Sequence, residues 1–266
     1  MFPIPADPLA QRLLLNALPG VGPATVRRLR DAFGGDLAAA LRARPAELAR
    51  LKGVGAKLAA TIAARDFDWA AELARVEALG FRVVAEGAPD WPLAFAPLWD
   101  PPLVLYAEGA TLPGERAVAI IGSRHCTAYG AGLARRFARD LAAAGWWIVS
   151  GWARGIDTAA HEGALDAEGR TVAVLGHGLD LTYPPEGRAL RARMRERGGV
   201  LSEFPLGRPA DRQSFPQRNR IVAALARAVI VIETDVDGGS LITARFAGDL
   251  GKTLCAVPGR VDSPAS

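Results

Sequence analysis

The residues of this chain that could do chemistry are glycines, hydroxyls and arginines, set in short groups beside apolar runs. Gly122-Ser123-Arg124 closes AVAIIG, and Ser150-Gly151-Trp152-Ala153-Arg154-Gly155-Ile156-Asp157 follows WWIV, with His161 four residues beyond Asp157. Gly176-His177-Gly178 closes TVAVLG and leads to Tyr183-Pro184, while Ser202-Glu203-Phe204-Pro205 closes GVLSEF. Phe215-Pro216-Gln217-Arg218-Asn219-Arg220 precedes another apolar run, and Asp237-Gly238-Gly239-Ser240 follows VIVIET. Glycine lets backbone approach a ligand closely, helix N-terminal amides donate to anions, and arginine forms bidentate bonds to phosphate. The chemistry that suits this combination is phosphate recognition.

Other chemistries find less support. A dinucleotide fingerprint needs a second glycine where Arg124 stands, and an arginine there blocks close approach to a pyrophosphate, so NAD and FAD are not expected. Gly251-Lys252-Thr253 has Phe246 where a P-loop needs glycine, and it ends a helix instead of opening one. No G-x-S-x-G elbow surrounds Ser150 or Ser240. His161 shares a helix face with Asp157, which reads as a structural hydrogen bond before a general base. Glu203 and Glu233 each follow a strand and could serve as acid or base, yet neither has an evident partner. Two cysteines, Cys126 and Cys255, and three histidines make neither a disulfide framework nor a zinc set. No catalytic group, cofactor or metal is assigned.

The elements that must position these groups read clearly. Strands are expected at 117–122, 146–151, 171–176, 199–204, 229–234 and 253–259, with helices at 127–145, 155–168, 185–198, 217–228 and 240–251. Near-continuous apolar strands separated by amphipathic helices make a parallel sheet covered on both faces, a doubly wound, Rossmann-like α/β fold. Such sheets bind ligands beyond the carboxyl ends of their strands, where the groups above fall.

Ahead of this unit, residues 1–66 read as short helices. LPGVGPATVRRL at 18–29 and LKGVGAKLAATI at 51–62 repeat one pattern, glycine–apolar–glycine and then a helix, the form of a helix-hairpin-helix. Either the hairpins meet phosphates through free amides with Arg27, Arg28 and Lys57, or GVG is only a tight turn in a small bundle. Residues 67–110, with two expected strands at 81–85 and 103–107, read as a connector wrapping onto the core, and 111–266 as the Rossmann-like unit. The chain carries 32 basic and 28 acidic residues. Their placement matters more than the balance: 1–66 is net basic, 67–110 net acidic, and 188–220 holds nine arginines against three acids. The Arg188–Arg197 stretch reads as a solvated helix face, whereas Arg218-Asn219-Arg220 adjoins an apolar helix. An arginine-lined groove at the strand ends suits an extended single-stranded nucleic acid. No apolar run is long enough to span a bilayer and no signal pattern opens the chain, so a cytoplasmic protein with no membrane partner is expected.

GSRHCTAYG (122–130), VSGWARGIDTAAH (149–161), TVAVLGHGLDLTYP (171–184), LSEFPLG (201–207), FPQRNRIVAAL (215–225), GGSLITARFA (238–247) and VPGR (257–260) together resemble the DNA-processing DprA/Smf family. A small all-α SAM-like or helix-hairpin-helix domain ahead of an extended Rossmann-like sheet is similar to that family's arrangement. The resemblance implies a non-enzymatic role in natural transformation: binding and protecting single-stranded DNA and loading the RecA recombinase onto it, with a homodimer formed through the later part of the Rossmann unit. It also implies a DNA pocket in which Arg124 makes contact, with Gly122, Ser123, Gly151, Arg154, Gly176, Arg218, Asn219, Arg220 and Ser240 at the matching motifs. Many members carry lysine after the Tyr-Pro of the third strand end; here Pro185 follows and Arg188 stands in. The family also usually continues beyond the point where this sequence stops, often into a winged-helix domain. An alternative is a base-removing nucleoside-monophosphate phosphoribohydrolase on a related fold. Asp237-Gly238-Gly239 is similar to the opening of its motif, but Ser240–Arg245 lacks the carboxylate.

Overall fold

The computed structural model describes residues 1–109, 112–182 and 184–259. Helices α1 (Pro8–Ala17), α2 (Pro23–Ala32), α3 (Leu37–Arg42), α4 (Pro45–Leu48) and α5 (Ala56–Ala64) make an N-terminal helical unit. Their starts have local causes. Asp7 accepts from Ala10 N at 3.0 Å with Pro8 in the first turn of α1, and Asp36 caps α3 through Ala39 N at 2.9 Å; such caps contribute about 1 kcal/mol each. α2 and α5 begin where the two GVG repeats turn. Gly20 and Gly53 both hold φ at +78°, a left-handed backbone that side chains disfavour. The Arg28 guanidinium lies against Gly53, so the first hairpin closes on the second. Leu14, Leu15, Leu29, Leu41, Leu48 and Ile62 fill the space between these helices and are fully buried.

After α6 (Trp69–Ala78) come strands β1 (Arg82–Ala85), β2 (Val104–Glu108), β3 (Ala117–Ile121), β4 (Trp147–Ser150), β5 (Thr171–Val174), β6 (Gly198–Ser202), β7 (Ala228–Val231) and β8 (Thr253–Ala256). They form one sheet in the order β1-β2-β6-β5-β4-β3-β7-β8. β3 to β8 pair in parallel, while β1 and β2 join the far edge antiparallel. Between the parallel strands run α7 (Ala128–Ala143), α8 (Ile156–Asp166), α9 (Arg188–Arg197), α10 (Ser214–Leu225) and α11 (Ser240–Asp249). Alternation along β3 shows the two covered faces. Val118 and Ile120 meet Leu133, Ala134 and Ile156 of α7 and α8, whereas Ala117, Ala119 and Ile121 share a core with Ile221, Val222 and Leu225 of α10. The fold is therefore the doubly wound sheet that the apolar strands indicate, preceded by a helix-hairpin-helix unit.

Two particulars differ from the sequence reading. The connector contributes two strands to the sheet: Tyr106 sits opposite Ser202 and Ala107 opposite Leu201. The buried Glu72 of α6 ties this region down, accepting from Tyr106 Oη at 2.9 Å and Leu206 N at 2.8 Å. α10 also starts three residues earlier than expected, because the Asp211 carboxylate accepts from Gln213 N at 2.7 Å and Ser214 N at 2.6 Å. Tyr183 and Arg260, both within the quoted motifs, lie outside the described residues.

Candidate nucleic-acid interface

β3 pairs with β4 on one side and β7 on the other. The chain winds outward from β3 to β6 and then returns to β7, so the sheet's topological switch lies beside β3. Beyond the carboxyl ends of β3, β4 and β7 opens a cleft of about 300 Å³, where switch-point ligands bind in such sheets. One wall is the loop after β3, with Gly122, Ser123, Arg124 and His125; another is the first half of α10, with Phe215, Arg218 and Asn219. Gly151 and Asp157 close the floor, and Thr234, Gly238, Gly239 and Ser240 the remaining side.

The loop after β3 is held by Glu233. Ser123 N donates to the Glu233 carbonyl at 2.7 Å, and the Glu233 carboxylate accepts from Thr127 N at 2.8 Å and Thr127 Oγ1 at 2.6 Å. Thr127 in turn caps α7 by accepting from Gly130 N at 3.0 Å. The carboxylate considered as an acid or base is thus engaged in fixing the loop. Arg124, held on that loop, is exposed, with its guanidinium carbon 4.8 Å from the Phe215 ring centroid. Among the described residues it makes no ion pair, and its charge helps to hold down the buried Asp157 carboxyl.

The floor is more unusual. Arg218 keeps only 5% of its surface exposed and lies beside Asp157, at 7%. A side chain at position 151 would place its Cβ 2.4 Å from Asp157 Oδ2 and 2.8 Å from Arg218 Nη2, so glycine is required there. Asp157 also accepts from Ala153 N at 3.2 Å. Burial pushes the Asp157 carboxyl above its ordinary range, against the attraction of Arg218. Burial likewise lowers the Arg218 guanidinium to about 10, with Asp157 opposing and Arg124 adding to the shift; it stays protonated at neutral pH. Its Nη1 has no hydrogen-bond partner among the described residues. A buried charged donor without a partner costs free energy, and an incoming anion would relieve that cost. Asn219 Nδ2 donates to Gly239 O at 3.2 Å, joining α10 to the opposite wall.

His161 supports this floor from below. Its Nε2 lies 2.8 Å from Gly151 O and its Nδ1 2.7 Å from Thr171 Oγ1, and burial lowers it to about 4. Gly151 O can only accept, so the neutral ring donates to it from Nε2, while the Thr171 hydroxyl that faces Nδ1 also reaches Ile148 O at 2.9 Å. The structural hydrogen bonds expected of His161 are present, but they run to Gly151 and Thr171.

Of the residues read as DNA contacts, Gly122, Ser123, Arg124, Gly151, Arg218, Asn219 and Ser240 line the cleft together. Gly176 stands behind the Phe215 ring, outside the lining. Arg154 is exposed and bonds Glu186, and Arg188 is exposed on the first turn of α9. Arg220 requires a correction: it is 1% exposed, with Nη1 and Nη2 each 2.7 Å from the Glu203 carboxylate and Nε 3.0 Å from Asp100 O. Residues two apart on a helix are turned about 200° from each other, so Arg218 and Arg220 cannot share the cleft. The arginines of α9 are partly spent on neighbours: Arg191 reaches Glu108 at 2.6 Å and Arg197 reaches Glu168 at 3.3 Å. Phe215 and Asp157 belong to the cleft but were not among the expected contacts. The signal for Phe215 was its place at the start of α10, beside the arginine motif.

Among the described residues no helix is long and apolar enough to cross a membrane, and no cluster of three or more His, Cys, Asp or Glu could hold a metal.

Comparison with known proteins places this geometry. Residues 12–65 match the SAM-like helix-hairpin-helix tandem. The Smf protein of a Synechocystis species is 36% identical over 260 residues, covering 94% of this chain and 64% of the relative. A putative DNA processing protein DprA of Mycobacterium tuberculosis is 43% identical over 238 residues, covering 83% and 61%. The chain thus spans less than two thirds of the length of these curated relatives. The DNA processing protein A of Streptococcus pneumoniae superposes with a TM-score of 0.77 at 30% identity, over 97% of this chain and 87% of that one. That of Helicobacter pylori, described for its unique single-stranded DNA binding mode, gives 0.63 at 34% identity, over 69% and 83%. With residues 82–266 matching the model for DNA recombination-mediator protein A, this chain belongs to the DprA/Smf family.

Proposed function

We propose that this chain binds single-stranded DNA in the cleft at the carboxyl ends of β3, β4 and β7 and passes it to a RecA-type recombinase during natural transformation, making and breaking no covalent bond. The observation that carries the reading is the unpartnered Nη1 of the buried Arg218, on the floor of a cleft whose lip holds the exposed Arg124. One cation inside and one outside suit successive phosphates of a strand, and Phe215 beneath Arg124 adds an aromatic face for a base. The H. pylori family member described as binding single-stranded DNA supports the same ligand here. In this reading residues 111–266 carry the DNA, 1–66 form a helical unit whose hairpins are a second place for phosphates, and two copies associate. The outer edge of β8, exposed along all four residues, is where a homodimer could form. The base-removing alternative gains nothing from Glu233, whose carboxylate is held by Thr127.

The test is binding of fluorescently labelled oligo-dT at increasing salt. Each neutralised phosphate contributes about 0.7 to the log–log slope for single strands, so affinity should fall steeply. A salt-independent interaction, or none, would overturn the proposal.

A further inference from the structure

The helical unit and the segment between β1 and β2 enclose a second, wider groove of about 970 Å³, lined by Arg12, Arg27, Arg30, Trp91 and Leu98 among others. Next to Leu98 stands Trp99, with 70% of its surface exposed. The guanidinium carbon of Arg27, from α2, lies 4.4 Å from the centroid of its ring. Arg12 and Arg30 are drawn to Glu86, at 4.0 and 2.9 Å, whereas no carboxylate among the described residues pairs with Arg27. Leaving an indole in water forgoes a large burial gain. An exposed ring under an unpaired cation has the make-up of a base-stacking platform.

Its place in the fold connects it to the cleft. β2 runs antiparallel to β6 with Tyr106 opposite Ser202, so residues ahead of β2 project past the carboxyl end of β6. That is the edge of the sheet on which the cleft opens. Asp100 fixes the segment to α10 by accepting from Arg220 Nε at 3.0 Å, and Asn16 ties the helical unit to the same edge by donating to Glu203 O at 2.7 Å. Arg220 and the cleft-lining Arg218 lie on opposite flanks of α10, so the Trp99 segment and the cleft stand on either side of that helix.

We propose that Trp99 and Arg27 form a second shelf for the strand held in the cleft: a base several nucleotides from the Arg218 phosphate stacks on the indole, and the adjoining backbone meets Arg27. The shelf rests on the reading that the cleft binds single-stranded DNA. It favours a nucleic acid over a protein partner because its cation lacks a counter-charge, because it lies on the edge where the cleft opens, and because the helical unit beside it is net basic.

The experiment uses the full chain with oligo-dT of about 6 and about 20 nucleotides, a span chosen around typical site sizes. Trp99→Ala should weaken binding of the long oligomer about tenfold while leaving the short one within about twofold, and Trp99→Phe should retain most of the affinity. Arg27→Ala should follow Trp99→Ala. If Trp99→Ala leaves the long oligomer unaffected, or weakens both lengths equally, the shelf is wrong while the cleft stands. Failure of the unsubstituted chain to bind either length would remove the cleft reading and the shelf with it.

Discussion

Arg218 and Arg220 lie two residues apart on α10 and serve opposite sides of it. Arg218 faces the cleft with one nitrogen unpartnered, and Arg220 is locked into Glu203 by two bonds of 2.7 Å. The same side chain is therefore a ligand-seeking group at one position and a structural strut at the next, and the helix phase alone decides which.

Arg220→Ala is expected to act on stability. It leaves the Glu203 carboxylate, 3% exposed, without its counter-charge, a change that costs about 3–5 kcal/mol in buried pairs. A fall in Tm of roughly 10 °C should follow for a chain of this size. Replacing both partners, as Glu203→Leu with Arg220→Met, should recover much of the loss, since the pair's desolvation cost disappears with it. Thermal unfolding followed by circular dichroism measures both, and a double variant no better than Arg220→Ala would show that the pair is worth more than an apolar replacement.

Arg124→Ala should leave Tm nearly unchanged and weaken single-stranded DNA binding by about 10- to 100-fold, the worth of a charged hydrogen bond. The salt slope should drop by about 0.7. Arg193→Ala, on the exposed face of α9 and 3.9 Å from Asp166, should change affinity by less than about twofold. Equal losses at the two sites would mean that binding follows diffuse charge and not a cleft.

His161 gives the chain an acid-side weakness. Burial lowers its folded-state value to about 4, against about 6.5 when unfolded. Between those values the unfolded chain binds the extra proton, so stability holds above pH 6.5 and declines as pH falls toward 4, by about 3 kcal/mol for this group. The loss begins in the floor of the cleft, because the new charge sits on a fully buried ring near the Arg218 cation. Comparing denaturant midpoints at pH 7.5 and 5 for the unsubstituted chain and His161→Asn checks this; the variant should lose less on acidification, and parallel curves would exclude His161 as the source.

Much of the sheet was legible because β3 to β7 are short apolar runs bounded by glycine, and the helices between them keep a 3.6-residue period. What escaped was non-local. Nothing near Tyr106 indicates that it pairs with Ser202, because a register across nearly a hundred residues is chosen by tertiary fit. The cleft followed from the rule that ligands bind at strand ends, and Arg124, Gly151 and Arg218 do line one cleft there. Arg220 failed because proximity in sequence was read as proximity in space. The partnership of Glu233 with Thr127 had no sequence signal, since the two lie 106 positions apart.

That partnership yields a prediction whose sign separates two explanations. Glu233 is an acidic group beside a cleft proposed to hold a polyanion. If charge alone governed affinity, Glu233→Ala would tighten DNA binding by removing repulsion. The geometry argues the reverse: the carboxylate accepts from both Thr127 N and Thr127 Oγ1, and without it the far end of the loop that carries Arg124 loses both of these bonds, leaving the backbone bond from Ser123 N to the Glu233 carbonyl. Glu233→Ala should therefore weaken binding by about tenfold, about 1.4 kcal/mol, and Thr127→Val, which keeps the backbone bond to Glu233 but removes the hydroxyl's bonds to Glu233 and Gly130 N, should weaken it less. Incubating the same proteins with AMP and assaying for free adenine tests the enzymatic alternative alongside. Tighter DNA binding by Glu233→Ala would refute the anchoring role, and adenine release that disappears in this variant would return Glu233 to the position of a reacting group.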